Sequence, residues 1–206
     1  LMTARIGIIG AGLIGRAWAI VFARSGMSVC LYDVDASALG QVRDGIRQSL
    51  QDLLQAGLIE DIEAPLSLIQ TENNLAHAMR DVEYVQECGP EDIDAKRRIY
   101  SELESVVAID TVLASSTSGI AASRFTNHLK HPERCLVAHP VNPPYLIPLV
   151  EVAPSPDTSE AAVNRTMQVM EQAQQTPILV RKEVQGFILN RLQGALLNEA
   201  IRLFRD

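Results

Sequence analysis

The segment Gly10-Ala-Gly-Leu-Ile-Gly15 constrains the fold more than any other part of this sequence. A β-branched apolar run, Arg5 to Ile9, leads directly into it, and an apolar stretch suited to a buried helix follows. Glycines at this spacing permit a tight turn at Gly10, a close approach of the backbone to a pyrophosphate at Gly12, and close helix packing at Gly15. The start of the helix then offers free N–H groups to phosphates. The segment therefore predicts a strand, a turn and a helix that together bind a dinucleotide.

The next apolar run indicates which dinucleotide. Ser28 to Tyr32 predicts a second strand, and Asp33 follows it, 18 residues after Gly15. A carboxylate here accepts hydrogen bonds from ribose hydroxyls and repels a 2′-phosphate, and Val34 beside it offers no arginine to reverse that preference. The sequence therefore predicts NAD as the cofactor, with a glycine-rich turn that binds no ligand as the alternative.

Strand-like and helix-like segments alternate over the rest of the chain. Strands are predicted at residues 66–70, 82–86, 111–115, 135–138, 149–152 and 177–180, and helices at 36–58 and 74–79. Such alternation favours parallel strands joined by crossover helices. We therefore expect an α/β protein with a Rossmann-type, doubly wound, mostly parallel sheet.

Composition and charge exclude some partners. The formal net charge of -7 argues against nucleic acid, whose phosphates require a basic face. No apolar run approaches the roughly 20 residues that cross a bilayer. Cys30, Cys88 and Cys135 are odd in number and widely spaced, as expected of reduced thiols. We expect a cytoplasmic protein that binds neither nucleic acid nor membrane, with no metal site.

Residues 136–152 contain a candidate catalytic pair. A short apolar run leads to His139, a proline-rich loop follows, and a second apolar run carries Glu151. A histidine oriented by a carboxylate is a common general base for removing a proton from an alcohol. The alternative for a single histidine beside a strand is a packed core residue.

Other polar residues stand where strands are predicted to end. Glu91 and Lys96 follow one such strand, so they either contact the cofactor or serve as a helix N-terminal acid and a solvated lysine. The hydroxyls from Ser115 to Ser118 follow the next strand. They either bind a substrate or cap a helix.

A helical pattern begins at Gln185 and is still present at Asp206. Its apolar stripe consists of Leu189, Leu192, Leu196, Ala200 and Leu203. Because such a stripe needs partner helices to cover it, we expect two domains. Residues 1–184 are predicted to form an NAD-binding domain, and 185–206 the start of a helical substrate and dimerisation domain, whose remainder is absent or replaced by another chain.

Taken together, these motifs resemble the 3-hydroxyacyl-CoA dehydrogenase superfamily, in particular its lambda-crystallin and L-gulonate 3-dehydrogenase branch. The resemblance rests on the glycine segment, Gln86-Glu-Cys-Gly-Pro-Glu-Asp, Ser115-Ser-Thr-Ser, His139-Pro-Val-Asn-Pro-Pro-Tyr, Leu149-Val-Glu-Val and Gly186-Phe-Ile-Leu-Asn-Arg. It implies that His139 is the catalytic base, that Glu151 orients it, and that the whole protein is a homodimer. Ser118 and Asn190 match residues that hydrogen-bond the reacting substrate. The implied cofactor contacts are Gly10, Gly12, Leu13, Ile14, Gly15, Asp33, Glu91, Lys96, Ser118 and Asn142.

The implied reaction removes the proton of a C3 hydroxyl to His139 and transfers the C3 hydride to nicotinamide. Between Arg47 and Arg80 the sequence has no Lys or Arg, whereas Asp52, Glu60, Asp61 and Glu63 are present. Carboxylates beside the phosphates of an acyl-CoA are unfavourable. We therefore expect a small 3-hydroxy acid such as L-gulonate as substrate. A 3-hydroxyacyl-CoA, a carnitine-type acid, and a non-catalytic, crystallin-like role are the alternatives. The 206-residue chain alone is expected to bind NAD but to turn over poorly.

Overall fold

The computed structural model describes residues 4–205. Asp206, where the predicted helical pattern is still present, lies outside the described residues. The strands are β1 (Arg5–Ile9), β2 (Ser28–Tyr32), β3 (Ile69–Glu72), β4 (Tyr84–Glu87), β5 (Val112–Ser115), β6 (Cys135–Pro140), β7 (Leu149–Pro154) and β8 (Thr176–Leu179). The helices are α1 (Leu13–Arg24), α2 (Ala36–Gln55), α3 (Glu63–Ser67), α4 (Leu75–Ala78), α5 (Ile93–Val106), α6 (Ser123–Thr126), α7 (Glu160–Gln172) and α8 (Leu189–Arg205).

The strands form one sheet in the order β3-β2-β1-β4-β5-β6-β7-β8. Neighbouring strands are parallel except for β6 and β7, which are antiparallel. The direction in which successive strands are added reverses between β1 and β4, and ligands of open α/β sheets bind in the crevice at such a point. This architecture confirms the predicted doubly wound, mostly parallel sheet.

Both faces of the sheet are covered, because alternate residues of a strand point to opposite sides. In β1, Ile6 and Ile8 pack into one buried cluster, which also contains Trp18 of α1. Ile9 packs into the other cluster, together with Tyr100 of α5. Within the described part of the chain, no helix has the length and apolarity needed to cross a bilayer.

The strand predicted at residues 66–70 is wrong at its start. The Asp61 carboxylate accepts hydrogen bonds from the backbone N–H groups of Glu63 and Ala64, at 3.0 and 2.8 Å, and this begins α3. Leu66 belongs to that short helix and is buried there. The strand β3 therefore begins only at Ile69. A short apolar run fits a strand or a buried helical turn equally well.

The helix predicted from Gln185 begins four residues later, at Leu189. Gly186 and Phe187 have φ angles of +76° and +49°, and a right-handed helix cannot contain such residues. None of the residues of α8 is buried. Of its predicted apolar stripe, Leu189 is half-buried, and Leu192, Leu196, Ala200 and Leu203 are exposed in this structure.

Candidate active site

The glycine segment forms the turn between β1 and α1, and two of its glycines are required by the protein itself. Gly10 has a φ of +103°, and a Cβ there would lie 2.7 Å from the backbone oxygen of Cys88. A Cβ on Gly15 would collide with the backbone oxygen of Gly10. A Cβ on Gly12, by contrast, would meet no protein atom within 4 Å. The backbone at Gly12 therefore faces open space, as the approach of a pyrophosphate requires.

The start of α1 and the end of β2 complete the nucleotide site. No side chain caps α1, whose N-cap residue is Gly12, so its first N–H groups are available to phosphate oxygens. The Asp33 carboxylate accepts hydrogen bonds from the backbone N–H groups of Ala11 (2.7 Å) and Asp35 (2.9 Å). Each oxygen retains a lone pair, so Asp33 is held in place and can still accept ribose hydroxyls.

A cavity of about 430 Å³, which we term the nucleotide pocket, opens beside Asp33. Its walls include Gly10, Gly12, Val34 and Pro90. The open glycine backbone, the uncapped helix and the fixed carboxylate together fit the phosphate and ribose groups of NAD. Among residues 4–205, no basic side chain lines this pocket, which agrees with the preference for NAD over NADP.

A second cavity of about 340 Å³, the catalytic pocket, meets the nucleotide pocket at Gly89. Five of the predicted site residues line it: Ile14, Glu91, Ser118, His139 and Asn142. They come from α1 and from the carboxyl ends of β4, β5 and β6. The sheet topology therefore brings together residues that are distant in sequence.

His139 and Glu151 form a buried pair across two antiparallel strands. They are direct cross-strand neighbours of β6 and β7, and the imidazole Nδ1 lies 2.8 Å from Glu151 Oε2. An ionised carboxylate only accepts hydrogen bonds, so Nδ1 carries the proton and Nε2 is the basic nitrogen. His139 is 7% exposed and Glu151 is fully buried. The pair is thus shielded from bulk water at the wall of the catalytic pocket.

The other oxygen of Glu151 fixes the start of α8. Oε1 accepts hydrogen bonds from the backbone N–H groups of Ile188 and Leu189, at 2.8 and 2.9 Å. Phe187, just before them, is fully buried, and its ring centroid lies 5.5 Å from that of His139. One carboxylate therefore positions both the imidazole and the first turn of the helix.

Glu91 holds the hydroxyl-rich loop after β5. Its Oε1 accepts hydrogen bonds from the Thr117 hydroxyl (2.6 Å) and from the backbone N–H groups of Ser118 and Gly119 (3.0 and 3.2 Å). The helix that follows, α5, is capped by Asp92 rather than by Glu91. Glu91 therefore shapes the catalytic pocket, and its contact with the cofactor stays a prediction.

Lys96 does not occupy the solvated position that was one sequence alternative. It is 1% exposed, and its Nζ lies 3.0 and 2.9 Å from the two carboxylate oxygens of Glu87. Its distance to Glu91 Oε2 is 4.0 Å. The Lys96 side chain is thus directed to a buried carboxylate, and its contact with the cofactor stays a prediction.

Asn142 lines the catalytic pocket, and Asn190 contacts the loop that carries Ser118. The Asn190 side-chain amide donates a hydrogen bond to the backbone carbonyl of Ser118, so α8 touches the loop that Glu91 holds. Asn142 is exposed on the proline-rich loop between β6 and β7. Their roles toward substrate and nicotinamide stay predictions.

Sequence reasoning missed a polar network beneath the catalytic pocket. The Ser116 hydroxyl accepts hydrogen bonds from Gln86 Nε2 (2.7 Å) and Trp18 Nε1 (3.0 Å), and Gln86 also donates to the carbonyl of Ala138 (3.1 Å). Burial raises the pKa of the neighbouring Cys88 thiol to about 12, so it is neutral near pH 7. The one indication of this network in the sequence was Gln86, a polar residue at the end of the apolar strand predicted at residues 82–86.

Comparisons with known proteins agree with this geometry. Residues 5–184 match the family described as "3-hydroxyacyl-CoA dehydrogenase, NAD binding domain". Lambda-crystallin of Oryctolagus cuniculus is 45% identical over 202 residues, which are 97% of this chain and 63% of that protein. L-carnitine dehydrogenase of Oceanobacillus iheyensis is 33% identical over 202 residues, 98% of this chain and 65% of that protein.

A solved structure has the same fold. The 3-hydroxybutyryl-CoA dehydrogenase of Escherichia coli K12 superposes with a TM-score of 0.93 at 28% identity, and the match covers 100% of this chain and 43% of that one. The chain thus spans less than two thirds of the length of each of these relatives. The family match nevertheless covers most of the chain and includes both the nucleotide pocket and the His139–Glu151 pair. The chain therefore belongs to the 3-hydroxyacyl-CoA dehydrogenase family and carries its NAD-binding domain.

Proposed function

We propose that the whole protein is an NAD-dependent dehydrogenase that oxidises the 3-hydroxyl of a small 3-hydroxy acid, with L-gulonate as the leading candidate. The observation that carries the proposal is the buried His139–Glu151 pair. It lies at the wall of a pocket that meets the nucleotide pocket at Gly89. A base beside a nicotinamide site is the arrangement that alcohol oxidation requires.

In the proposed mechanism, the protein handles the proton and the geometry. NAD, when bound, supplies the hydride acceptor. His139 Nε2 accepts the hydroxyl proton of the substrate, and Glu151 stabilises the imidazolium that forms. Ser118 and Asn190, which contact each other, are proposed to hold the substrate oxygen. Positioned acid–base catalysis of this kind contributes roughly a hundred- to ten-thousand-fold in rate.

Charge on the α2–α3 side supports a small acid over an acyl-CoA. Arg47 pairs with Glu63, so the basic residue at the edge of the acidic segment is already neutralised. Backbone hydrogen bonds lower the pKa of Asp61, which keeps that carboxylate ionised. A CoA polyphosphate would meet uncompensated negative charge here. The close structural match to a 3-hydroxybutyryl-CoA dehydrogenase favours the CoA ester as the second candidate.

The similarity to lambda-crystallin also raises a non-catalytic, NAD-binding role as a further alternative. The presence of His139, Glu151, Ser118 and Asn190 together favours the enzyme, since NAD binding alone has no need of them.

A domain boundary near residue 184 is part of the proposal, and it is supported by the end of the family match there. We also propose that the whole protein is a homodimer and that it is cytoplasmic. Three free cysteines support the cytoplasmic setting.

The test is NADH formation by the whole protein with L-gulonate, 3-hydroxybutyryl-CoA and L-carnitine side by side. We expect turnover on L-gulonate, and we expect His139→Ala to lower kcat by about a hundred-fold or more without weakening NADH binding. His128→Ala is the matched control, because His128 is exposed and outside the catalytic pocket. Preference for the CoA ester would replace the substrate assignment. Absence of turnover on all three, with intact NADH binding, would favour the non-catalytic role.

A further inference from the structure

A third cavity, which we term the arginine pocket, adjoins the catalytic pocket. It has a volume of about 280 Å³ and lies between α1, α2 and the proline-rich loop after β6. Asn142 lines both this cavity and the catalytic pocket. Arg16 is the one lining residue that carries a charge near neutral pH, and Ser49 and Tyr145 add hydroxyl groups. A ligand in the catalytic pocket therefore has a cationic compartment next to it.

Arg16 is half-buried, and its guanidinium has no hydrogen-bond or ion-pair partner among the described residues. Other arginines of the same region are engaged: Arg24 donates to the carbonyl of Tyr145 at 2.7 Å, and Arg47 pairs with Glu63. A guanidinium has five N–H donors and stays charged in proteins. An unpaired, partly desolvated one beside a substrate pocket is suited to an anionic ligand.

Gly45 of α2 makes room for this side chain. A Cβ at Gly45 would collide with Nη1 of Arg16. Glycine is a poor residue for the interior of a helix, by about 1 kcal/mol relative to alanine. The φ of Gly45 is not in the left-handed region, so its backbone does not require glycine. The space it leaves is occupied by the guanidinium.

We propose that Arg16 binds the carboxylate of the substrate and makes the enzyme selective for free 3-hydroxy acids over their thioesters and amides. This inference rests on the proposed function, because His139 has to face the C3 hydroxyl while the C1 carboxylate extends past Asn142 toward Arg16. Guanidinium and carboxylate form two parallel, charge-assisted hydrogen bonds. A neutral thioester at C1 would leave the guanidinium unpaired.

A cofactor phosphate is the competing ligand for Arg16. Arg16 lines neither the nucleotide pocket nor the catalytic pocket. The uncapped N-terminus of α1 already offers N–H donors to the pyrophosphate. The arginine pocket, however, shares Asn142 with the catalytic pocket and shares no lining residue with the nucleotide pocket, which favours the substrate as the ligand of Arg16.

The experiment compares L-gulonate with its neutral amide in the whole protein. Arg16→Met is expected to lower kcat/KM for the acid by about 30-fold or more, the value of a charged hydrogen-bonded pair. It should change kcat/KM for the amide and the KM for NAD by less than about three-fold. Gly45→Ala should shift the guanidinium without removing its charge and give a smaller loss on the acid alone. Arg47→Gln is the control, since Arg47 is an arginine of α2, the helix that contains Gly45, and lies outside the arginine pocket.

Each outcome decides between the proposals. Selective loss on the acid supports the inference. Equal losses on acid and amide, or a raised KM for NAD as the main effect, overturn it and assign Arg16 to folding or to the cofactor. A wild-type protein that oxidises acid and amide equally overturns the inference alone. A wild-type protein that oxidises neither overturns the proposed function itself.

Discussion

Two fully buried glutamates lie near the carboxyl ends of the parallel strands, and they have different partners. Glu87 accepts hydrogen bonds from Lys96, from the Ser115 hydroxyl and from the backbone N–H of Gly89. Glu151 accepts from His139 Nδ1 and from two backbone N–H groups at the start of α8. Both carboxylates have three or more donors, so neither is left unsatisfied.

The difference lies in the basic partner. Among the described residues, the hydrogen-bond and ion-pair partners of Lys96 Nζ are the carboxylates of Glu87 and Glu91. His139 engages Glu151 through Nδ1 alone, and its imidazole lines the catalytic pocket. The first pair therefore connects α5 to the end of β4, whereas the second leaves one nitrogen available to a ligand. We therefore propose that only the second pair takes part in catalysis, because one of its partners keeps an unengaged nitrogen at the pocket.

The largest expected effect on stability comes from breaking the Lys96–Glu87 pair. Lys96→Met leaves the Glu87 carboxylate buried without its cation, which costs about 3–5 kcal/mol of the free energy of unfolding. Urea unfolding of the whole protein measures this loss. Adding Glu87→Gln in the double variant should restore a large part of it, because no buried charge remains. Lys130→Met, at an exposed lysine, should change stability by about 0.5 kcal/mol or less.

A smaller effect, on rate rather than stability, is expected from Glu151→Gln. The amide still fills the site, but it provides no negative charge for the imidazolium of His139. We expect kcat to fall by about 10- to 100-fold, the range of one charge-assisted hydrogen bond, with KM for NAD unchanged. Glu83→Gln is the matched control, since Glu83 pairs with Arg165 at the surface. A loss confined to stability, with kcat retained, would make the two buried pairs equivalent and refute the distinction.

The smallest effect is expected at Glu91, a carboxylate of the same region that is half-exposed. Glu91→Ala frees the N–H groups of Ser118 and Gly119, and each lost hydrogen bond is worth about 1 kcal/mol. We expect KM for the substrate to rise by about five-fold in steady-state kinetics. Glu91→Gln should recover most of the loss, because an amide oxygen still accepts hydrogen bonds. Failure of that rescue would show that the negative charge, and not loop geometry, is what Glu91 contributes.

The sequence predicted those parts of the fold and of the candidate site that depend on a local sequence pattern and on the parallel order of the strands. The turn at Gly10 follows from steric constraints on the backbone, and the topology then brings the ends of β4, β5 and β6 to one edge. His139 and Glu151 were predicted to form a pair because a single loop joins the two apolar runs that carry them. Their 2.8 Å contact confirms that expectation.

Other features depend on partners that the sequence does not reveal. Lysine is almost never fully buried, so nothing in the order of residues indicated that Lys96 meets Glu87 in the interior. Phe187 was predicted to be helical, but its backbone is left-handed. Its residue type does not favour that conformation, and its ring packs against His139, a contact that the sequence does not reveal. The lack of a partner for the Arg16 side chain among the described residues likewise depends on three-dimensional contacts that the order of residues does not reveal.

The left-handed pair Gly186 and Phe187 has a consequence for how the chain leaves the sheet. The segment that follows is held by the Glu151 carboxylate, which accepts hydrogen bonds from the backbone N–H groups of Ile188 and Leu189, and by the Phe187 ring beside His139. The residues that contact His139 therefore also hold the first turn of α8. A change at the start of this helix is expected to reach the imidazole through one carboxylate and one ring.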